Sequence, residues 1–408
     1  MIVHAAGLFR QNNKLQETIM SRYDTDYSKK RFNTRAVKSG EGPDPVTRAL
    51  NTPIYETSTF GYETAEQYDE MLARGAEWEP DLYIYSRTTN PTTNALEKKV
   101  MALENAEDAV ITACGMAAIS NALLSNLNAG DHVICSDDTF MCTSSMFADI
   151  LPSKGIETSR VEVLELSNIE KAMRPNTKVV YLEALSNPQL KLADIPAIAE
   201  IAHAHGCKFI VDNTFLSPCV MRPLDWGADI VVHSGTKYYV GHGDALCGIV
   251  AGRKADIDRV RYYYDNLGSH ISPYDAWLAL RSVRTMPLRL KQQSENAMAL
   301  AKWFEARPEV DFVTYPGLES HHQHELAKKL FVNGNFGGML CVHLKGGYEE
   351  MCRFADATKI PPIATSLGDV VTLMFPKKAY NNLIRISTGC EDVNDLIEDF
   401  EQAFEQCR

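Results

Sequence analysis

The sequence predicts an α/β fold, a mostly parallel and buried sheet followed by a smaller α+β region. Three observations predict it. From about residue 66, short apolar runs alternate with amphipathic stretches of helical length, the pattern of βα units. The apolar runs are nearly continuous, as expected of strands covered on both faces. After about residue 263 longer helical segments take over, with only occasional strands.

Residues 1–65 are polar and irregular; "SGEGPDPVT" and "NTPIYETSTF" read as turns and extended segments, so this stretch is expected to be an N-terminal arm. Residues 66–262 carry the βα pattern. "DAVITAC" reads as a strand and "GMAAISNALLSNL" as the helix after it. "HVICSDD", "TKVVYLEAL", "KFIVDNT", "ADIVVHS" and "GIVAG" are further strands. "ADIPAIAEIAHAHG" is a helix stopped by Gly206. Residues 263–408 form the C-terminal region, with the helical "PYDAWLALRSVRTMPLRLKQQSENAMALAKWFEA" and the strand "FGGMLCVHLKGG".

The 408 residues are 45% hydrophobic and 23% charged, which is the composition of a folded chain with a sizeable core. A net charge of −12 argues against nucleic acid or an anionic membrane as partner. No apolar run reaches the roughly 20 residues of a membrane helix, and "MIVHAAGLF" lacks the flanks of a secretory signal, so a cytoplasmic protein is expected. The ten cysteines show neither a CxxC pair nor zinc-ligand spacing. They read as small buried hydrophobes in a reducing compartment, and no metal is expected.

Ligands of open α/β sheets bind where the strands end at their carboxyl side, so the polar residues closing each apolar run belong together. They are Cys114, Gly115 and Met116 after "VIT", Asn187 in "ALSNP", Asp212 after "FIV", and Ser234, Thr236 and Lys237 after "VVH". Gly115 at a strand-to-helix junction offers free N–H groups to an anion, and the Ser234 and Thr236 hydroxyls are candidate donors to the same anion. Lys237 at the end of a buried strand is costly to bury as a cation. A lysine with a depressed pKa condenses with an aldehyde, an anion site holds a phosphate, and a buried carboxylate keeps a pyridine nitrogen protonated. Together these are the needs of pyridoxal 5′-phosphate.

The chain resembles the Cys/Met-metabolism family of pyridoxal-phosphate enzymes, which includes cystathionine γ-lyase and γ-synthase, methionine γ-lyase and O-acetylhomoserine sulfhydrylase. "YSRTTNPTTNALEKKVMALENAEDAV", "CGMAAIS", "EALSNPQLKLADI", "VDNTFLSP", "GADIVVHSGTKYYVGHGDALCGIV", "SLGD" and "LIRISTGCED" carry the resemblance, from about residue 33 to the C-terminus. It implies a fold-type I, aspartate aminotransferase-like architecture with a seven-stranded sheet and a smaller C-terminal domain. Lys237 would bind the cofactor covalently and shuttle protons, Asp212 would pair with the pyridine nitrogen, and Asn187 would lie near the phenolic oxygen. Gly115, Met116, Ser234 and Thr236 would hold the phosphate, joined by Tyr85 and Arg87 from the neighbouring subunit. Arg385, assisted by Ser366 and Asn187, would clamp the substrate carboxylate. The shared site implies a homotetramer built from two active dimers.

Several positions depart from the family pattern. Phe140 stands where a tyrosine normally stacks on the cofactor and serves the leaving group; it can stack but has no proton to give. Leaving-group protonation contributes roughly 10² to 10⁴-fold, so three readings arise: a leaving group needing no acid, a substitute such as Tyr263 or Tyr264, or Lys237 doing all the proton work. Ile84 and Thr365 replace acidic residues of cystathionine-processing members. Cys142 falls at a substrate-side cysteine of methionine γ-lyases, and Cys114 replaces the usual serine before Gly115. The segment after "SLGD" is short and carries Lys377 and Lys378. The expected reaction is γ-elimination on a γ-substituted L-amino acid, giving 2-oxobutyrate and ammonia. The alternative is γ-replacement with an activated homoserine or S-adenosylmethionine-like donor. A binding protein that has lost turnover is a third reading, disfavoured by intact Lys237, Asp212 and Arg385; an NAD-type oxidoreductase lacks its GxGxxG signature.

Overall fold

The computed structural model describes residues 26–44, 46–75, 83–332 and 334–407. The first part of the expected arm, including "MIVHAAGLF", lies outside the described residues. Seven strands build the larger sheet: β1 (Asp108–Thr112), β2 (His132–Ser136), β3 (Glu157–Val161), β4 (Thr177–Glu183), β5 (Lys208–Asp212), β6 (Ile230–Ser234) and β7 (Gly248–Gly252). Their spatial order is β1-β7-β6-β5-β4-β2-β3. The five strands from β6 to β3 pair in parallel, whereas β7 runs antiparallel to both β6 and β1. "GIVAG" alone gives no sign of this reversal, since strand direction is set by the length and path of the preceding connection.

Buried strands explain the continuous apolar runs. In β5, Phe209 and Val211 enter one core cluster, shared with Leu182 and Val231. Ile210 between them enters a second cluster on the opposite face, with Tyr181 and Val232. Each such side chain contributes roughly 1.5–3 kcal/mol by burial, so a charge at Ile210 or Val211 would break the sheet at its centre. Helix Ile195–Ala204 stops where expected: Gly206 adopts φ +68°.

The C-terminal region adds β8 (Val310–Thr314), β9 (Met339–Leu344), β10 (Leu373–Lys377) and β11 (Leu383–Ser387), an antiparallel sheet in the order β10-β11-β9-β8. Its core packs Phe304, Phe354, Phe400 and Phe404, with the last helix, Val393–Cys407, closing over it. The long helical stretch is two helices, Pro273–Val283 and Met286–Glu305, each with a proline in its first turn. The stretch expected to be irregular contains a seven-residue helix, Phe32–Lys38, tied down by the Arg35 bond to the Ala102 carbonyl. Among the described residues no helix is long and apolar enough to cross a membrane.

Candidate active site

The parallel strands deliver their last residues to one edge of the sheet. Glu183 and Asp212 end β4 and β5 in direct register, and Ser234 ends β6. Asp212 is buried; its carboxylate accepts from the Thr214 N–H at 2.9 Å, the Thr214 hydroxyl at 2.5 Å and the Tyr181 hydroxyl at 3.4 Å. All three donors are neutral. Burial therefore raises its pKa against the pull of the Thr214 bonds. Asp212 caps no helix; Thr214 folds back on it in a turn.

Lys237 follows β6 in a turn closed by its own N–H to the Ser234 carbonyl at 3.1 Å. Its Nζ donates to Ser366 Oγ at 3.3 Å. Burial, reinforced by the charge of Arg385, lowers its pKa, which favours the neutral and nucleophilic amine. The resemblance placed Ser366 with the substrate carboxylate; it also meets the lysine.

Gly115 opens helix Gly115–Leu124, and Cys114 before it makes no side-chain cap, so the first N–H groups of the helix are left for another acceptor. A Cβ on Gly115 would stand 2.7 Å from Ser234 Cβ, so only glycine lets the helix start meet the end of β6. Met116 packs beside it, its sulfur 3.9 Å from the Thr143 hydroxyl. The Thr236 hydroxyl is already engaged, donating to the Cys247 carbonyl at 3.2 Å and accepting from the Cys247 N–H at 2.9 Å.

From the small sheet, β11 brings in Arg385, 2% exposed. Its Nη1 donates to Asn187 Oδ1 at 2.8 Å, and Nη2 to the carbonyls of Thr365 and Ser366 at 2.8 and 3.2 Å. Nε is buried without an acceptor among the described residues, one donor still to be satisfied. Arg385, Asn187, Ser366 and Lys237 thus form one connected set across the two sheets.

Phe140 follows β2, its side chain exposed, and its N–H donates to Glu183 Oε1 at 2.5 Å. Glu183 Oε2 accepts the Asn187 N–H at 3.0 Å. Sequence reading missed Glu183, although it is the last residue of its strand, as Asp212 is. It joins the loop carrying Phe140 to the residue that holds Arg385. Burial, and then Asp212 beside it, pushes its pKa well above the usual carboxylate range. Cys142 is exposed, two residues beyond Phe140.

Tyr85 and Arg87 do not reach this cluster within the chain. Arg87 stacks over the Tyr85 ring at 5.6 Å and donates to the Asp265 carbonyl at 2.7 Å. Tyr264 is buried among the apolar side chains of the opposite core, and Tyr263 packs edge-on against Tyr262. Their described contacts include neither Phe140 nor Lys237. Among the described residues no group of three or more His, Cys, Asp or Glu is placed to hold a metal ion.

Residues 33–405 match the model of the Cys/Met metabolism PLP-dependent enzymes. The chain belongs to that family. It is 38% identical over 400 residues to an L-methionine γ-lyase of Treponema denticola, covering 93% of this chain and 97% of that protein. It is also 38% identical to an O-succinylhomoserine sulfhydrylase of Pseudomonas aeruginosa, covering 94% and 98%. A crystal structure of a Campylobacter jejuni protein assigned as an O-acetylhomoserine (thiol)-lyase superposes with a TM-score of 0.86 at 31% identity, covering 92% of this chain and 99% of that one; it holds N′-pyridoxyl-lysine-5′-monophosphate. The fold is accordingly fold-type I, the cofactor is pyridoxal 5′-phosphate, and the protein is an enzyme of Cγ–heteroatom bonds. The residues present fit that cofactor: an uncapped helix start at Gly115, a buried carboxylate with only neutral donors, and a lysine of lowered pKa three residues after Ser234, which meets Gly115.

Proposed function

We propose that this enzyme catalyses γ-elimination on a γ-substituted L-amino acid, consuming water and releasing 2-oxobutyrate, ammonia and the protonated leaving group. The observation that carries the reading is the connected set of Lys237, Ser366, Arg385 and Asn187 beside two buried carboxylates. Bound pyridoxal phosphate supplies a covalent hold on the substrate amine and an electron sink next to Cα. Lys237 would carry it, Asp212 would face the pyridine nitrogen, and Gly115, Met116 and Ser234 would hold the phosphate; the Thr236 hydroxyl would join them by turning its proton from the Cys247 carbonyl to the phosphate.

Arg385 receives the α-carboxylate, its unsatisfied Nε and the Nη2 on the same edge of the guanidinium offering two parallel donors once Nη2 shares its bonds to the Thr365 and Ser366 carbonyls. That would fix Cα near the amine of Lys237, which would remove the Cα proton, deliver it to the carbon of the cofactor that bears the substrate nitrogen and, neutral again, remove a Cβ proton. Phe140 would stack on the cofactor without donating a proton. The leaving group must therefore depart unaided or take its proton from Lys237.

A second reading, γ-replacement by an incoming nucleophile on an activated homoserine or an S-adenosylmethionine-like donor, is favoured by Phe140 and by the O-succinylhomoserine sulfhydrylase among the relatives. Both readings use residues 66–262 for the cofactor and 263–408 for the carboxylate clamp. In both, Tyr85 and Arg87 serve the partner subunit's phosphate in a homotetramer, which the 42% exposure of Tyr85 supports. Ten free cysteines support a cytoplasmic location. The deciding experiment is mass spectrometry of products from the cofactor-loaded enzyme given methionine, O-acetylhomoserine or S-adenosylmethionine, each with and without a thiol. 2-Oxobutyrate from methionine alone supports elimination; a product only when the thiol is present moves the assignment to replacement.

A further inference from the structure

Lys377 closes β10 two residues beyond Phe375, and Phe375 pairs directly with Arg385 across β11. The two-residue period of a strand puts Lys377, Phe375 and Arg385 on one face of the small sheet. Arg385 Cζ lies 5.0 Å from the Phe375 ring centroid, and Lys377 Nζ lies 5.4 Å from the same centroid. The Tyr380 ring centroid lies 5.2 Å from the same ammonium. Two cations therefore share one aromatic ring.

Attraction to the rings offsets part of the cost of this arrangement, but the charges still oppose each other. Burial lowers the pKa of Lys377, and the Arg385 charge lowers it further. Among the described residues no carboxylate lies within ion-pair distance of Lys377. Asp138 acts on it from further away, its Oδ2 already accepting from Ser186 Oγ at 2.6 Å and from Gln189 Nε2 at 3.1 Å. An α-carboxylate on Arg385 neutralises one of the two cations and leaves the other unmatched.

We propose that Lys377 is a substrate-binding residue that receives a second anionic group, so that the site selects amino acids whose γ substituent carries a carboxylate. This rests on the reading of Arg385 as the α-carboxylate clamp. Lys378, next in the chain, is turned elsewhere: its Nζ lies 4.7 Å from the Tyr348 ring, and it serves as the control.

The test uses the cofactor-loaded enzyme and two amino acids of equal length with no leaving group, L-2-aminoadipate and L-norleucine. Dissociation constants come from calorimetry and from the cofactor's absorbance. Wild type and Lys378→Gln should bind the aminoadipate about tenfold more tightly than norleucine. Lys377→Gln should bring that ratio to about one, and Lys377→Arg should restore it. A ratio that Lys377→Gln does not change overturns the proposal. So does equal weakening of both ligands, which would mean that Lys377 assists only the α-carboxylate. If both ligands bind through Arg385, as Arg385→Gln reports, and the wild-type ratio is one, Lys377 alone has been misread. If neither binds, the clamp itself has been misread and the proposal falls with it.

Discussion

The two sheets contribute opposite chemistry to the same cleft. The large parallel sheet ends in acids, Glu183 and Asp212 in register and both buried, with Lys237 on the next turn. The small antiparallel sheet carries cations on one face, Arg385 and Lys377, grouped round Phe375. The difference follows from geometry. Parallel strands bring all their carboxyl ends to one edge, where helix starts and backbone donors collect, whereas an antiparallel sheet presents one face whose alternate residues line up across strands. The first arrangement suits groups that hold and move protons on a fixed cofactor, and the second suits recognition of a ligand laid along a face.

The sharpest way to break this division is on the large sheet. Lys237→Ala should lower turnover by about 10⁴-fold or more, since both covalent attachment and proton transfer are lost, and should abolish the cofactor's lysine-linked absorbance. Retained turnover with that absorbance gone would move the proton work to another group. On the small sheet, Arg385→Ala should cost about 10² to 10³-fold in kcat/KM, equivalent to roughly 3–4 kcal/mol, with KM carrying most of the change. A loss confined to kcat would give Arg385 a role in the chemical step and blur the comparison.

Phe140→Tyr tests the wall between them. Restoring a phenol should raise turnover of methionine by about 10²-fold if leaving-group protonation is what the site lacks, and steady-state kinetics on methionine reports it. Unchanged turnover would separate Phe140 from substrate choice. The smallest effect concerns the paired acids in the cofactor-free protein. Both carboxyls have raised pKa values in the folded state, so the folded protein holds more protons than the unfolded one. Stability should then fall as pH rises through and above the ordinary carboxylate range, by up to about 1.4 kcal/mol per pH unit for each proton involved. Thermal melts of the cofactor-free protein should show this decline, and Glu183→Gln should flatten it. A melting temperature that rises across the same range would contradict the pairing.

Much of the molecule is legible in the chain because the large sheet is written in continuous apolar runs. The residues that close those runs include Asp212, Ser234 and Lys237, all of which the fold gathers at one sheet edge. Glu183 is harder to see because "LEALSNP" continues apolar past it towards Asn187, while the strand ends four residues earlier; where a run stops is set by pairing with β5, which sequence does not display. The reversal of β7 and the ring shared by Lys377 and Arg385 are hidden for the same reason. Each depends on how neighbouring strands pair after an intervening connection, and only folding supplies that register. Thr236 shows the converse case. Its hydroxyl reads as free in "HSGTK", and tertiary structure gives it the Cys247 backbone as partner.

The most direct test of chemistry at Cγ is proton exchange in the substrate. The cofactor-loaded enzyme is held with methionine in D₂O, and the unreacted amino acid is followed by proton NMR, with Lys237→Ala as reference. Loss of both the Cα and the Cβ proton signals in wild type, with neither lost in the variant, is the result predicted for a lysine that opens Cβ so that a γ substituent can leave. Exchange at Cα alone would contradict it, because a site that never activates Cβ cannot break the bond at Cγ.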